Sequence, residues 1–546
     1  MERREFVKKL SLASAAPVFL GGIPVNLLAS NGRLQMAAGT ADNDRVLVLV
    51  QMHGGNDGLN AVIPINQYSE YYNLRPNIAI SDAGARKYIT LDSTLEDAKQ
   101  AGFHPDMVGM KALYDQGKVS IVQGVTYTNN NQSHFRSRDI WFMGGSYNEN
   151  PGSGWAGRML DVEYPKYPQD YPNTAMPDPL ALEIGANVSL MYHRTNGIPV
   201  AISINDPEQF YKLIQTVGNN VLPEALEETY YGKELKWIME IEKKSDPYAS
   251  RLKELFDKGK NGNVTYPELY TLNAPNKFLK NGLAPQLKLV ARLLSGGIKT
   301  KIFLVRIGGF DTHANQVEKY NASYGGHAAL LYHLSSALKA FQDDLKEQGL
   351  ENRVMVATFS EFGRRPESNG SYGSDHGSAA PMFLVSSYVK PGIVGQNPDL
   401  KDLPGGNLKM QTDYRQVFRT VLEDWMQASP DAIKATGFDK YEKLELVSST
   451  PASVYGEFNR SRNIIGSCVP NPARNFTTFT IQLNTRSLVK VELYSQDGKF
   501  MYSVENREYD MGKHTIEVPL QGLASGVYIV KIDSELVKAA NKVTVY

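Results

Sequence analysis

"VLVLVQMHGGNDGLN", Val46 to Asn60, is an apolar run that stops abruptly at a polar, glycine-rich turn. A run with almost no polar face fits a strand covered on both sides, as in a parallel sheet. Two glycines precede Asn56-Asp57 and one follows, so the backbone can bend sharply there and a ligand can approach closely. Asp57 is therefore either a turn former or a chemical group. A turn needs only a short polar side chain, which Asn56 already supplies. A metal ligand must carry charge, because a hard cation is held largely by negative oxygens.

Three further segments share this character: "KVSIVQGV" (Lys118–Val125), "KIFLVRIGG" (Lys301–Gly309) and "RVMVATFS" (Arg353–Ser360). Between the last two, Leu330, Leu334, Leu338, Phe341 and Leu345 recur at helical spacing and predict one buried stripe. That is a strand–helix–strand unit, right-handed by default. The expected fold is α/β, a doubly wound, mostly parallel sheet with helices on both faces. Residues 225–275, more charged and helical, read as an insertion or lid beside the sheet.

Lys plus Arg and Asp plus Glu both number 58 in a chain of 546 residues, so no charge excess points to nucleic acid. With Cys468 alone, neither an intramolecular disulfide nor a cysteine-rich metal site is possible. The start, "MERREFVKKLSLASAAPVFLGGIPVNLLAS", has the layout of an export signal. Arg3-Arg4 followed by Phe6 and Lys8 resembles a twin-arginine signal. Gly21, Gly22 and Pro24 interrupt its apolar stretch and argue against a permanent span, so the mature chain is expected to lack a transmembrane anchor. From about Val469 short alternating runs separated by turns predict a small antiparallel β-sandwich. "PNPARNF", "SQDGK" and "LASGVYIVKI" there resemble the C-terminal sorting domain of Bacteroidetes type IX secretion cargo. The domains expected are an export signal at 1–40, an α/β domain at 41–450, a linker at 451–468 and a sorting domain at 469–546. The resemblance implies type IX secretion machinery as a partner and a secreted or surface-attached protein.

Four stretches end or precede apolar strands with groups suited to chemistry. Besides Asp57 these give Asp311 and His313 ("IGGFDTHANQ"), Glu361 and Arg364 ("FSEFGRR"), and Asp375 and His376 ("GSDHGSAAPMFLV"). In a doubly wound sheet, strand ends line one crevice, so distant residues can converge. Carboxylates and imidazoles together suit a hard or borderline divalent metal: zinc, manganese, magnesium or calcium. Asp311 and His313, two apart, point the same way on extended backbone, whereas Asp375 and His376 diverge unless the chain turns. Ser133, in "NNNQSHFRSRDIW", is equally readable as a nucleophile or as a helix N-cap, with His134 and Arg136 beside it.

"HGGNDGLN", "SHF", "GGFDTH", "SEFGR" and "DHG", in that order, resemble the bacterial family called domain of unknown function 1501, over roughly Arg45 to Ala428. The resemblance implies an alkaline-phosphatase-like fold. Carried over residue by residue, it implies that Asp57 is the first metal-binding aspartate and Ser133 the nucleophile. Asp311 and His313 match an aspartate–histidine pair of one metal, and His376 the last metal-binding histidine. Glu361 falls where an aspartate followed by histidine is usual, and Phe362 stands in for that histidine. Either Asp375 fills the gap or only one metal binds. Arg364 or Arg136 would clamp the anion's other oxygens, and His53 would support Asp57 from behind. The function implied is an exported hydrolase of phosphate, less so sulfate, esters on a small molecule or glycan. The alternative is a catalytically inactive cell-surface binding protein with the same fold. The calcium-loop-like "DKGKNGNVTYPE" (Asp257–Glu268) is set aside, since Gly259 offers no ligand at its third position. His327 and His333 are expected to be structural.

Overall fold

Val46–His53 forms strand β1 near the middle of a nine-stranded sheet. The sheet's other strands, in chain order, are β2 (Val119–Thr126), β3 (Ala181–Ile184), β4 (Ala201–Ile204) and β5 (Ile302–Gly308). They continue with β6 (Val354–Phe359), β7 (Ala380–Val385), β8 (Gly392–Val394) and β9 (Thr412–Asp413). The computed structural model describes residues 43–206, 247–451, 468–483, 487–510, 512–534 and 538–546, and a short strand pair, Phe19–Leu20 with Ile23–Pro24. The expected export signal (that pair aside), most of the linker and residues 225–246 of the expected lid lie outside the described residues.

The strand order is β8-β2-β7-β6-β1-β5-β3-β4, with β9 also on β2. Every pairing is parallel except those of β7, which runs antiparallel to both β6 and β2. The doubly apolar pattern of β1 has the consequence read from the sequence. Val46, Val48, Val50 and Met52 enter one core, and Leu47 and Leu49 enter another across the sheet. The first core is closed by helices α2 (Ala284–Gly296) and α3 (Gly326–Glu347), the latter burying Leu330, Leu334, Leu338, Phe341 and Leu345. The second is closed by helix α1 (His134–Met143) together with Trp155, Phe418 and Trp425. Each such leucine withdrawn from water contributes roughly 1.5–3 kcal/mol, which is what holds three layers together.

The tail forms six antiparallel strands in two sheets. β10 (Phe476–Leu483) pairs with β13 (Gly512–Pro519). β12 (Phe500–Tyr509), β11 (Ser487–Ser495), β14 (Gly526–Ser534) and β15 (Lys538–Val545) form the second sheet in that order. Phe479 and Ile516 of one sheet share a core with Val491, Val530 and Val543 of the other, and Cys468 is buried there as a free thiol. Among the described residues no helix is long and apolar enough to cross a membrane.

Candidate metal centre

Parallel pairing puts the ends of β1, β5 and β6 side by side: Gly308 pairs with His53, and Phe359 with Gln51. The segments that follow these strands carry Asp57, Asp311 and Glu361. Because β7 is antiparallel, its beginning lies at the same edge, with Ala380 beside Val125 of β2. His376 therefore arrives from the strand's start, and α1 arrives from the end of β2. Gly54 and Gly55 make the turn after β1 at φ 122° and 80°. A Cβ on Gly54 would lie 2.3 Å from the Asp311 nitrogen, and one on Gly55 would lie 2.4 Å from the Phe362 ring. Only glycine fits either place.

The convergence point is the Asp311 carboxylate. His134 Nε2 lies 3.4 Å from its Oδ2, while His313 Nε2 and His376 Nε2 each lie 3.3 Å from its Oδ1. Ligand atoms of His134, Asp311 and His376 all fall within 4.8 Å of one another. The two nitrogens His313 Nε2 and His376 Nε2 stand 2.8 Å apart. Each imidazole is held by its other nitrogen. His134 Nδ1 meets Glu361 Oε1 at 2.9 Å, His376 Nδ1 meets the Gln132 carbonyl at 2.9 Å, and His313 Nδ1 meets Asp375 Oδ1 at 3.2 Å. A carbonyl or carboxylate oxygen can only accept, so each Nδ1 donates, and in the neutral ring each Nε2 turns a lone pair toward Asp311. Bare lone pairs facing one another repel unless a proton or cation lies between them. Imidazole nitrogens and a carboxylate gathered this closely are a donor set that a divalent metal would take. Histidines clamped through the second nitrogen are also what metal sites use to fix ligand orientation.

Local charge and burial act on the cluster in both directions. The Glu361 hydrogen bond holds His134 above the ordinary imidazole range, against burial. Burial lowers His376. Burial works against ionised Asp311, but its ion pair with Arg364, Nη2 to Oδ1 at 2.6 Å, prevails and holds it below the ordinary carboxylate value. A hydrogen bond from Asn369, 3.1 Å away, lowers Asp375. Glu361 is buried, accepts from the Gly54 N–H at 2.8 Å, and has one oxygen, Oε2, buried without a partner.

Not every expected residue joins the cluster. Asp57 is 1% exposed, and Arg75 Nη1 lies 2.8 Å from both its oxygens, with Gln316 Nε2 2.6 Å from Oδ2. Its carboxylate thus faces a buried guanidinium, not the histidines. Arg364 is no free anion clamp. It is 1% exposed and donates to the carbonyls of Gly54, Gly55, Phe310 and Ser374 as well as to Asp311, so it fastens the loops that carry the site. Arg136 likewise donates to the Tyr147 and Glu149 carbonyls. Ser133 is exposed at the N-cap of α1 and makes no side-chain cap bond. Asp375 stands behind His313, not in the ligand circle. His53 stacks on His134 at 6.2 Å and does not support Asp57. Phe362 packs on the rings of His134 and His376 at 4.8 and 4.6 Å.

His134 is the member of this cluster that the sequence presents only as a neighbour of Ser133. A signal was present: a histidine directly after the N-cap position of a helix that follows an apolar strand. Gln132, at φ 58°, is a second omission; that left-handed turn accompanies the carbonyl's contact with His376. His327, buried, meets Asn56 Oδ1 at 3.1 Å, and His333 meets the Phe278 carbonyl at 2.7 Å.

Residues 44–426 match a family described as "Protein of unknown function (DUF1501)", and residues 467–546 match a "Secretion system C-terminal sorting domain". No curated protein matches the chain. Among solved structures, a phosphonate monoester hydrolase from Silicibacter pomeroyi is similar at 9% identity over 91% of this chain and 88% of that one, TM-score 0.31. An alkaline phosphatase superfamily protein from Vibrio parahaemolyticus is similar at 9% identity over 67% of each chain, TM-score 0.29. PorZ, a type IX secretion component of Porphyromonas gingivalis, is 22% identical over 14% of this chain and 11% of its own, TM-score 0.11.

Proposed function

The chain belongs to the DUF1501 family, and on that premise we propose that its strand-end crevice is a metal-dependent hydrolytic site for phosphate esters, with sulfate esters the lesser class. Its C-terminal sorting domain addresses it to type IX secretion machinery, and so to the cell surface or outside. The proposed division is an export signal at 1–40, the hydrolase at 41–450, a linker at 451–468 and the sorting domain at 469–546. The observation that carries the reading is the set of three imidazoles, each locked through Nδ1 and each presenting Nε2 to Asp311.

His134, Asp311 and His376 would hold the ion, with His313 in reach. A divalent ion there would neutralise charge developing on a phosphoryl oxygen and lower the pKa of an oxygen nucleophile. The rest falls to the chain's own residues. Glu361, the Gln132 carbonyl and Asp375 keep the imidazoles aimed. Ser133, exposed and adjoining His134 at the positive end of α1, is the nucleophile of the proposal.

One observation favours the alternative, a surface protein that keeps the site without turnover. Phe362 fills space against two of the histidines where a further ligand would stand. Elemental analysis of wild type and His376→Ala, followed by aryl phosphate monoester, diester and sulfate substrates, separates the readings. About one ion per chain that is lost in the variant, with monoester turnover lost in parallel, is expected. Bound metal without turnover of any ester would support the alternative, and absence of metal under every divalent supply would sink both metal readings.

A further inference from the structure

We propose that the cleft beginning at Asp311 is a subsite for a second anionic group on the substrate, held by Lys277 and Lys280. The inference deepens the hydrolase reading and rests on it. The cleft encloses about 420 Å³, within the ~300–1,000 Å³ usual for small-molecule sites, and Asp311 lines it. Its charge is unbalanced. Lys277 and Lys280 are exposed, and neither has a carboxylate partner among the described residues. The Lys277 ammonium lies 4.8 Å over the Phe278 ring, which does not neutralise it. Arg306, the third cation of the wall, is by contrast already spent, paired with Glu183 and donating to Gln51. Asp311 at the rim is matched by Arg364. Two unmatched ammonium groups in one concave wall concentrate positive potential and draw in anions.

The floor is apolar and fixed. Phe278, Ile307 and Leu330 line it. A Cβ on Gly309 or Gly326 would come within 2.9 or 2.6 Å of the Phe278 ring, so that ring sits directly on backbone. His333, 2.7 Å from the Phe278 carbonyl, anchors the same short turn, which gives this histidine its role. An apolar floor ending in two ammonium groups suits a ring, aryl or sugar, that carries the scissile ester at one end and a carboxylate, phosphate or sulfate at the other. A singly charged ester would leave the lysines without a counter-ion.

The test compares phenyl phosphate with 4-carboxyphenyl phosphate on the full chain, in wild type and in Lys277→Ala/Lys280→Ala. The expected result is an about tenfold higher KM for the carboxylated substrate in the double variant, two screened ion pairs' worth, with its kcat and both constants for phenyl phosphate unchanged. An equal effect on both substrates, or none on either, overturns the proposal. If neither ester is hydrolysed the hydrolase reading fails, and equilibrium dialysis of 4-carboxyphenyl phosphate decides the subsite separately. About tenfold weaker binding in the double variant, restored by Lys277→Arg/Lys280→Arg, supports it, and equal binding overturns it.

Discussion

Replacing Asp57 by Asn keeps the shape of the side chain and removes its charge, so it separates an ion-pair role from a metal-ligand role. Arg75 is 0% exposed, and its Nη1 lies 2.8 Å from each oxygen of Asp57. The rest of that guanidinium is engaged by the carbonyls of Pro366 and Arg365, both at 2.7 Å. Arg75 therefore cannot leave for water when its partner is neutralised. Removing one member of a buried pair leaves the other charge uncompensated, at a cost of ~3–5 kcal/mol. The expected outcome for Asp57→Asn is a loss of that size in the main-domain urea transition, measured in chelator and seen as a lower midpoint at constant slope. Metal content per folded chain should match wild type, because the histidine–Asp311 cluster does not use Asp57. Asp57→Asn combined with Arg75→Met should recover part of the loss, since the orphan charge goes too. A cost below about 1 kcal/mol together with abolished metal retention would refute the reasoning and return Asp57 to the ligand circle.

The same pair gives an acid limit. Although burial opposes it, Arg75 holds Asp57 below its ordinary value of 3.8, so its contribution is complete above that value. It is lost as pH falls through the lower folded value. Earlier in the descent, His327 is buried neutral and lowered from 6.5 to about 4 by desolvation. The unfolded chain then takes up a proton that the folded chain refuses, so stability should fall by ~3 kcal/mol between pH 6.5 and about 4, and His327→Gln should flatten that part of the urea-midpoint profile. Leu338→Ala, in the buried stripe of α3, should cost ~2–5 kcal/mol by the same denaturation assay, whereas exposed Lys346→Ala should cost under ~0.5 kcal/mol. Deleting residues after Val469 should leave the main-domain melting transition in place and stop delivery to the cell surface, read by fractionation. A main domain that melts lower without its tail would count against the tail as a separate address.

Much of the architecture was written in the chain itself. A run such as Val46–Val50, apolar at successive positions, can be satisfied only by cover on both faces, and the two cores on either side of β1 are that cover. The alternating tail likewise implies two antiparallel sheets. Strand ends bearing Asp311, His313, Glu361 and His376 were legible as one crevice, because side chains just beyond parallel strands share an edge. What the chain alone left open is which group faces which. Ser133 drew attention as a nucleophile, yet it is His134, one residue on, that turns toward Asp311, because α1 starts beside the end of β6 and Glu361 catches its Nδ1. Asp57 has the sequence context of a ligand, but Arg75 and Gln316, 18 and 259 residues away, reach it in the fold. Periodicity reports burial, which is a property of a segment. The partner of a charge depends on three-dimensional distance in a low-dielectric interior, where an available guanidinium a few ångströms away decides what a carboxylate does.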